Sequence, residues 1–415
     1  MATQQAQRLQ IARSQRLAEE RINWKFGNQE GKDRMSQIFE GIRVLDLTNN
    51  LAGPITTAMM ADFGAEVIKV ERPVYGDDSR AWPVQIGGGS SLFVQANRGK
   101  KSIVLDFKKA SDMEIVRKLV KKSDVLVESF RPGVMKKIGL AYDEVSRLNE
   151  SIIMCSVSAY GQTGPYRDRP GYDLIAQAMS GVMAINGFLN GPPMRLGPAV
   201  ADNTTAYHAF GAISAALYHR LRTGEGQFID VSLLECMTMQ IDCLELASAG
   251  EDPTRNGNHS NMLTPYGVFG KKSGGMMLAA LNPKLWEILT RLMERPDLTN
   301  DPKFVTVAGR IKNQDELIPM IDDWVDSFED LKELEKLLME NNIPCARVRT
   351  VKEVLEDPHL NHRETLSEVD VNFSETQPRL KIRGTAIKFS KTPGKPGAAA
   401  SLGQHQEEIM QMLKE

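Results

Sequence analysis

The sequence has no run of about 18 apolar residues, so it offers no candidate transmembrane helix, and no apolar signal-peptide core lies near its start. Its four cysteines are scattered, with no C-x-x-C pair and no histidines at metal-ligand spacing. A formal net charge of -2 gives no general attraction for nucleic acid or an anionic membrane. We therefore expect a cytoplasmic protein with reduced thiols, no metal ion, and no nucleic-acid or membrane partner.

The composition is that of a soluble globular protein, with 41% hydrophobic and 25% charged residues. A length of 415 residues predicts about two domains. Residues 1–40 are rich in Gln, Arg, Glu and Lys, which predicts a polar N-terminal extension, either a solvated helix or a partly disordered arm. The acidic residues Glu19, Glu20 and Glu30 argue against a transit peptide.

From Gly41 onward, short apolar segments alternate with helical segments, which predicts an α/β fold with an open, mostly parallel, Rossmann-like sheet. The expected strands are 42–47, 67–71, 102–106, 124–128, 152–157 and 228–232. Strand-like segments at 343–348 and 380–389 indicate that the chain returns to this region. We expect a large domain built from 41–230 and 343–415. A smaller α+β domain at 235–340 contains a β-hairpin over 266–280.

The turn after the first strand, residues 49–54, contains one glycine, whereas a dinucleotide site needs G-x-G-x-x-G. We therefore do not expect NAD or FAD. Basic residues recur near strand ends and turns, and an open α/β sheet binds its ligands beyond the carboxyl ends of its strands. The set suggests a phosphate site, although each member alone is typical of a solvated surface charge. Its members are Arg72, Arg98, Lys100, Lys101, Arg131, Lys136 and Lys137.

Asp202 follows an apolar run and opens a long helix predicted over 203–221. This position alone is typical of a helix N-cap. A carboxylate held at a helix N-terminus is also what a carboxylate nucleophile requires, so the two roles are compatible. Asp173 is a second cap candidate, and it follows a glycine-rich turn at 160–165 that is a candidate lining of a ligand site.

Several of these segments, taken in order, resemble family III coenzyme A transferases, the group that contains formyl-CoA, carnitine-CoA and bile-acid CoA transferases. The resemblance covers about Gly41 to Leu413. Its motifs are L-D-L-T-x-x-x-A-G-P (45–54), G-A-E-V-I-K-V-E-R-P (64–73), N-R-G-K-K-S-I-V-L-D (97–106), V-E-S-F-R-P-G (127–133), Y-G-Q-T-G-P (160–165), G-Y-D-x-x-x-Q-A-x-S-G (171–181), the P-x-R-x-G block that ends at Asp202, and L-G-Q-H (402–405).

The resemblance implies an acyl-CoA:carboxylate CoA-transferase without a further cofactor, in which Asp202 attacks the donor thioester. A mixed anhydride and then an aspartyl-CoA thioester would form on that residue. The resemblance also implies an interlocked homodimer whose large domain uses both chain ends. The positions expected to contact coenzyme A are Asn49, Asn50, Leu51, Ala52, Arg72, Leu105, Phe130, Lys137 and Tyr172.

Some positions depart from the family pattern. Ala201 stands where many relatives have glycine, Asn49 and Asn50 replace a His-Val pair of oxalate-handling members, and no tetraglycine loop is found. The main alternative is an α-methylacyl-CoA racemase, but Tyr172 stands where racemases have a histidine, and tyrosine is a poor base at neutral pH. An inactive CoA-binding protein is the other alternative. The donor and acceptor acids, and a carboxylate-binding role for Arg195, stay open.

Overall fold

The computed structural model describes residues 37–415 except 261, 273, 372 and 374–377. The described chain forms two units. The first consists of the residues up to Ser180 together with Gly197–Ile241 and Pro358–Glu415, and the second consists of Gly181–Leu196 and Asp242–Asp357. Of the predicted polar extension at 1–40, residues 1–36 lie outside the described residues.

The strands, in chain order, are β1 (Arg43–Leu47), β2 (Glu66–Glu71), β3 (Gln85–Ile86), β4 (Gly89–Ser90), β5 (Lys101–Val104), β6 (Val125–Glu128), β7 (Ile153–Ser158), β8 (Phe228–Ser232), β9 (Tyr266–Phe269), β10 (Met276–Ala279), β11 (Cys345–Arg347), β12 (Leu366–Asp370) and β13 (Arg379–Arg383).

The α-helices are α1 (Ala52–Asp62), α2 (Ser91–Asn97), α3 (Ala110–Lys122), α4 (Val134–Lys137), α5 (Tyr142–Leu148), α6 (Asp173–Met179), α7 (Val182–Ile185), α8 (Val200–Thr223), α9 (Leu233–Thr238), α10 (Leu244–Ser248), α11 (Pro283–Leu292), α12 (Val307–Lys312), α13 (Gln314–Val325), α14 (Leu331–Glu340), α15 (Val351–Leu355), α16 (Pro358–His362) and α17 (Gln406–Met412).

The first unit is built on a six-stranded sheet in the order β5-β2-β1-β6-β7-β8, and every pair in it is parallel. This is the doubly wound order in which the chain turns from one side of β1 to the other. Strands β6 and β7 are buried along their whole length, because helices cover both faces of a parallel sheet. The prediction of an open, parallel, Rossmann-like α/β sheet is confirmed.

The helices α1 and α8 position the candidate site within this unit. Helix α8 packs against α1 and against strands β7 and β8. It is 24 residues long and is followed by Gly224, whose φ of 79° is the left-handed conformation that glycine adopts readily at a helix C-terminus. Its buried positions include Ala209, Ile213 and Leu217, spaced four residues apart on one face.

The second unit contains a three-stranded antiparallel sheet in the order β11-β10-β9, in which β9 and β10 form the predicted hairpin. Helices α11, α13 and α14 cover it and bury Trp286 and Leu289. The expectation that the segment 343–348 joins the large domain is wrong. Its strand, β11, pairs with β10, because Cys345 to Arg347 lie opposite Leu278 to Met276. The later segment of the large unit therefore begins at Pro358, and Gly181–Leu196 belongs to the second unit.

The C-terminal segment packs against the edge strand β5. The backbone of Gly403 and of His405 donates to Ser102, and Gln406 accepts from the backbone of Val104. Residues 380–389, expected as a strand, contribute only β13, which pairs with β12 in a separate two-stranded antiparallel sheet. Within the described chain no helix is long and apolar enough to span a membrane.

Candidate active site

The turn after β1 lies at the point where the sheet order reverses, between β1 and β6. Asn50 has a φ of 70°, a left-handed conformation that asparagine tolerates better than most residues. The Asn49 backbone N–H donates to the Ser129 hydroxyl, 2.9 Å away, in the loop that follows β6. Helix α1 then begins at Ala52. The structure therefore brings the expected CoA-binding positions 49–52 to the crevice where such sheets bind ligands.

Asp78 joins this turn to Arg72. Its carboxylate forms an ion pair with Arg72 and accepts from the Asn49 side-chain amide at 2.5 Å. Its backbone N–H donates to the Asn49 side-chain oxygen at 2.9 Å. Sequence reasoning missed Asp77 and Asp78. The usable signal was the run Asp77-Asp78-Ser79, in which Asp77 caps a short 3-10 helix over Asp78–Ala81.

A buried charge network lies beneath the turn. Lys100 donates to Asp46 at 2.8 Å, and Lys69 pairs with Asp77 at 2.8 Å and donates to the carbonyl of Thr48 at 2.9 Å. Burial raises the pKa of Asp46, but the charges of Lys100 and Lys69 outweigh it and hold this pKa well below its usual range. Burial lowers the pKa of Lys100 to about 8, although Asp46 opposes the change. The network holds the turn at Thr48, and also at Asn50, whose backbone N–H donates to Asp77 at 3.2 Å.

The other expected CoA contacts differ in exposure. Leu105 is a core residue, only 3% exposed, and its backbone N–H donates to the carbonyl of Glu71. Phe130 is half-buried, edge-on to Phe107 with ring centroids 6.2 Å apart, and Lys137 is exposed at the end of α4. Phe130 and Lys137 thus follow β6 at the same edge as the turn, whereas the Leu105 side chain faces the interior.

The set of basic residues predicted to hold phosphate divides in two. Arg98 pairs with Asp62 at 2.6 Å, and Lys100 and Lys101 pair with carboxylates at 2.8 and 2.7 Å, all at or before the amino end of β5. These three residues stabilise the fold, so this part of the prediction is wrong. Arg72, Arg131, Lys136 and Lys137 remain, and they follow the carboxyl ends of β2 and β6. Arg131 and Lys136 line a cavity of about 280 Å³ whose wall includes Glu128.

Asp202 lies in the first turn of α8, but it is not the helix cap. The N-cap position is Ala199, which offers no side-chain acceptor. Burial, and then the negative charge of Asp173, raise the pKa of Asp202 to about 7. Among the described residues its carboxylate accepts no hydrogen bond from a side chain or backbone donor. A partly buried carboxylate without donors is less stabilised than one in water and is therefore more reactive as a nucleophile.

Tyr172 lies immediately before α6 and is 69% exposed. The next residue, Asp173, accepts from the backbone N–H of Ala201 at 2.7 Å and from that of Asp202 at 3.2 Å. The structure therefore brings the backbone of Tyr172 beside the start of α8. Sequence reasoning treated Asp173 as the cap of its own helix, and the structure shows that its carboxylate caps α8 instead.

The turn after β1 and the start of α8 belong to one packed unit. The Thr56 hydroxyl, one helical turn beyond Ala52, lies 3.5 Å from the carbonyl of Ala206, one turn beyond Asp202. Ile55 and Ala206 share a small apolar cluster. Arg195 is exposed and belongs to the second unit. In the described part of the chain, no group of three or more His, Cys, Asp or Glu side chains could hold a metal ion.

The site combines two features: a polar turn at the switch point of a parallel sheet, and a carboxylate at the start of a neighbouring helix that accepts from no described donor. The protein therefore belongs to the α/β class whose ligands bind at the switch-point crevice, and Asp202 is its candidate carboxylate nucleophile. The model of CoA-transferase family III matches residues 39–406. The chain belongs to this family.

Individual relatives agree with the family assignment. The chain is 38% identical over 383 residues to the succinyl-CoA:mesaconate CoA-transferase of Haloarcula hispanica, covering 89% of this chain and 95% of that protein. It is 36% identical over 412 residues to the succinyl-CoA:glutarate CoA-transferase of Mus musculus, covering 95% and 90%. A crystal structure of a CAIB/BAIF family protein from Brucella suis matches with a TM-score of 0.81 at 32% identity, covering 91% of this chain and 100% of that chain. The prediction of an acyl-CoA:carboxylate CoA-transferase is confirmed.

Proposed function

We propose that Asp202 is the nucleophile of a four-step CoA transfer. Its carboxylate attacks the acyl carbonyl of the donor thioester, the C–S bond breaks, and CoA leaves as a thiolate. The thiolate attacks the aspartyl carbonyl of the mixed anhydride, which releases the donor acid and forms an aspartyl-CoA thioester. The acceptor carboxylate then attacks that thioester, the C–S bond breaks, and CoA leaves again as a thiolate, which gives a second mixed anhydride between Asp202 and the acceptor. The thiolate attacks the acceptor's acyl carbonyl in this anhydride, which yields the new acyl-CoA and restores the Asp202 carboxylate.

The observation that carries this proposal is the state of the Asp202 carboxylate. It is partly buried at the first turn of α8, its pKa is raised to about 7, and no described residue donates to it. Every step of the scheme exchanges one anionic leaving group for another, so no general base is required. The protein's work is to hold the acids and the thiolate in line and to keep water away from the anhydrides.

The expected CoA-binding residues suit this scheme. Asn49, Asn50 and Arg72 surround the switch-point crevice, with Asp78 holding two of them together. We propose that the adenosine-phosphate part of CoA lies there, and that Tyr172 contacts the substrate near the thioester. Arg131, Lys136 and Lys137 supply positive charge along the same edge of the sheet.

For the acids, we propose succinyl-CoA as donor and a five-carbon dicarboxylic acid as acceptor. By their names, the two relatives described above both use succinyl-CoA, and their acceptors, mesaconate and glutarate, are both five-carbon dicarboxylates. The interlocked homodimer and the cytoplasmic location stay predictions.

Hydroxylamine trapping tests the nucleophile. The wild-type protein is incubated with succinyl-CoA and hydroxylamine, and peptides are analysed by mass spectrometry. We expect a hydroxamate on Asp202 and none in Asp202→Asn, together with loss of CoA transfer in that variant. Full transfer activity in Asp202→Asn without any adduct contradicts the proposal.

The same preparations separate the alternatives. Exchange of the α-proton of a 2-methylacyl-CoA in deuterated water, without CoA transfer, would indicate a racemase. Binding of CoA with neither transfer nor exchange would indicate an inactive CoA-binding protein. An acceptor panel of glutarate, mesaconate and oxalate, with succinyl-CoA as donor, tests the proposed acid pair, and preferential transfer to oxalate would contradict it.

A further inference from the structure

Helix α8 begins without a cap from its own segment. The first backbone N–H groups of an α-helix have no partner inside the helix, and the N-cap residue usually supplies one through its side chain. Here that residue is Ala199, which has no polar side-chain atom. The acceptor comes from 28 residues earlier in the chain. Oδ1 of Asp173 lies 2.7 Å from the Ala201 nitrogen and 3.2 Å from the Asp202 nitrogen, and both N–H groups donate to it.

The second oxygen of the same carboxylate is also bound. Oδ2 of Asp173 accepts from the side-chain amide of Gln177 at 2.7 Å, one turn further along α6. Gln177 is fully buried and Asp173 is 9% exposed, so neither side chain has room to turn away. The Asp173 carboxylate is therefore held on both sides, and it joins the start of α6 to the start of α8.

This arrangement gives two neighbouring carboxylates different hydrogen-bond surroundings. The Asp173 carboxylate has three donors, whereas the Asp202 carboxylate has none among the described residues. The donors that would otherwise be nearest to Asp202, the free N–H groups of its own helix turn, are already engaged. A carboxylate nucleophile without hydrogen-bond donors keeps its reactivity. The negative charge of Asp173 also disfavours the free Asp202 carboxylate relative to its acylated form, which carries no charge.

We propose that Asp173 is a positioning residue for the reaction: it fixes the first turn of α8 so that the Asp202 carboxylate faces the substrate without a hydrogen-bond partner. This inference rests on the proposed role of Asp202 as nucleophile. Gln177 takes part by holding the orientation of Asp173. The four-residue spacing of Asp173 and Gln177 in the sequence motif is thereby explained, because Gln177 orients the carboxylate that caps the helix of Asp202.

Other charged and titratable groups lie on the elements around α8. The elements packed against α8 are α1, α6, α9, β7 and β8, and Arg383 of β13 donates to Asn203 at 2.7 Å. Asp173 is the charge that acts on the pKa of Asp202 after burial. On those five elements, the titratable groups other than Asp173 have their own partners or are buried: Asp62 with Arg98, Glu235 with Ser232, Cys236 with Thr205, Asp230 with the Gln162 backbone, and Cys155 within β7. On α8 itself, the histidine nearest to Asp202 along the helix, His208, has Nδ1 2.8 Å from the carbonyl oxygen of Thr204.

Two variants of Asp173 separate the effect of its negative charge from the effect of its hydrogen-bond acceptor. Asp173→Asn keeps an oxygen that can accept from the α8 backbone but removes the charge. We expect its kcat/KM profile to move to lower pH by about half to one pH unit, because the like charge beside Asp202 is gone. Asp173→Ala removes the acceptor as well. We expect kcat to fall by about 10–100-fold at every pH, with KM for succinyl-CoA within about twofold of wild type, because the nucleophile is displaced while the CoA crevice is intact.

Asp330→Ala is the matched control. Asp330 also caps a helix, accepting from the backbone N–H of Lys332 at the start of α14, but in the second unit. It reports what the loss of a cap does by itself, and we expect an unchanged pH profile. Thermal unfolding of all variants corrects each rate for the folded fraction.

The outcomes are distinct from those of the nucleophile test. If wild type yields the Asp202 hydroxamate, while Asp173→Asn keeps the wild-type pH profile and Asp173→Ala loses no more corrected kcat than Asp330→Ala, the positioning role is refuted and the nucleophile stands. A change confined to KM in Asp173→Ala also refutes it. If wild type yields no hydroxamate on Asp202, the proposed function itself fails.

Discussion

Asp202→Asn is expected to abolish CoA transfer and, at the same time, to stabilise the fold above neutral pH. The wild-type carboxyl has an ordinary pKa of 3.8 in the unfolded chain and about 7 in the folded protein, raised by burial and by Asp173. At about 1.4 kcal/mol per pH unit, this difference corresponds to about 4 kcal/mol. Because the side chain is partly exposed, solvent screening reduces the expected destabilisation of the fold to about 2 kcal/mol.

The sign follows from proton binding. Since the folded-state pKa is the higher one, the folded protein holds this proton more tightly than the unfolded chain does. Below the unfolded pKa both states are protonated and Asp202 does not destabilise the fold. As the pH rises through the interval up to about 7, the destabilisation grows, and above that it is constant. The asparagine of Asp202→Asn carries no charge, so the variant does not have this destabilisation at any pH.

Urea unfolding of wild type and Asp202→Asn at pH 5, 6, 7 and 8 measures the effect. We expect the variant to be more stable by about 2 kcal/mol at pH 8, with a difference that shrinks as the pH falls to 5. Asp168→Asn, at an aspartate whose side chain is 77% exposed, is the control and should change stability by less than about 0.5 kcal/mol. A variant no more stable than wild type at pH 8, or a difference independent of pH, would refute the reasoning.

Two further predictions concern the support of the CoA crevice. Lys100→Met should destabilise the fold by about 3–5 kcal/mol in urea unfolding, because it leaves a buried carboxylate without its counter-ion, whereas Lys101→Met, at the next residue, removes only partly exposed ion pairs and should lower stability by about 1 kcal/mol or less. Equal effects of the two changes would contradict the buried network. Asp78→Ala should raise KM for succinyl-CoA several-fold with kcat unchanged, because Asn49 and Arg72 lose the carboxylate that joins them; a loss confined to kcat in steady-state kinetics would show that Asp78 acts elsewhere.

The sequence determined the main elements of the large sheet and their order along the chain. Apolar strands such as Val125–Glu128 and Ile153–Ser158 are buried on both sides, and their composition shows this locally. The ordered motifs also determined the family and singled out Asp202, because a motif is a local pattern of side chains. These predictions needed no knowledge of which element touches which.

Only the tertiary structure decided the contacts between distant segments. Strand β11 looked like a strand of the large sheet, but its hydrogen bonds go to β10. Arg98 and Lys100 looked like ligand-binding cations, but their partners are Asp62 and Asp46, on elements 36 and 54 residues away. Asp173 looked like the cap of its own helix and instead caps the helix that carries Asp202. The physical reason is common to all three: an edge strand, a cation or a carboxylate can be satisfied by any complementary group that folding brings near, and its own neighbours in the chain do not specify which one.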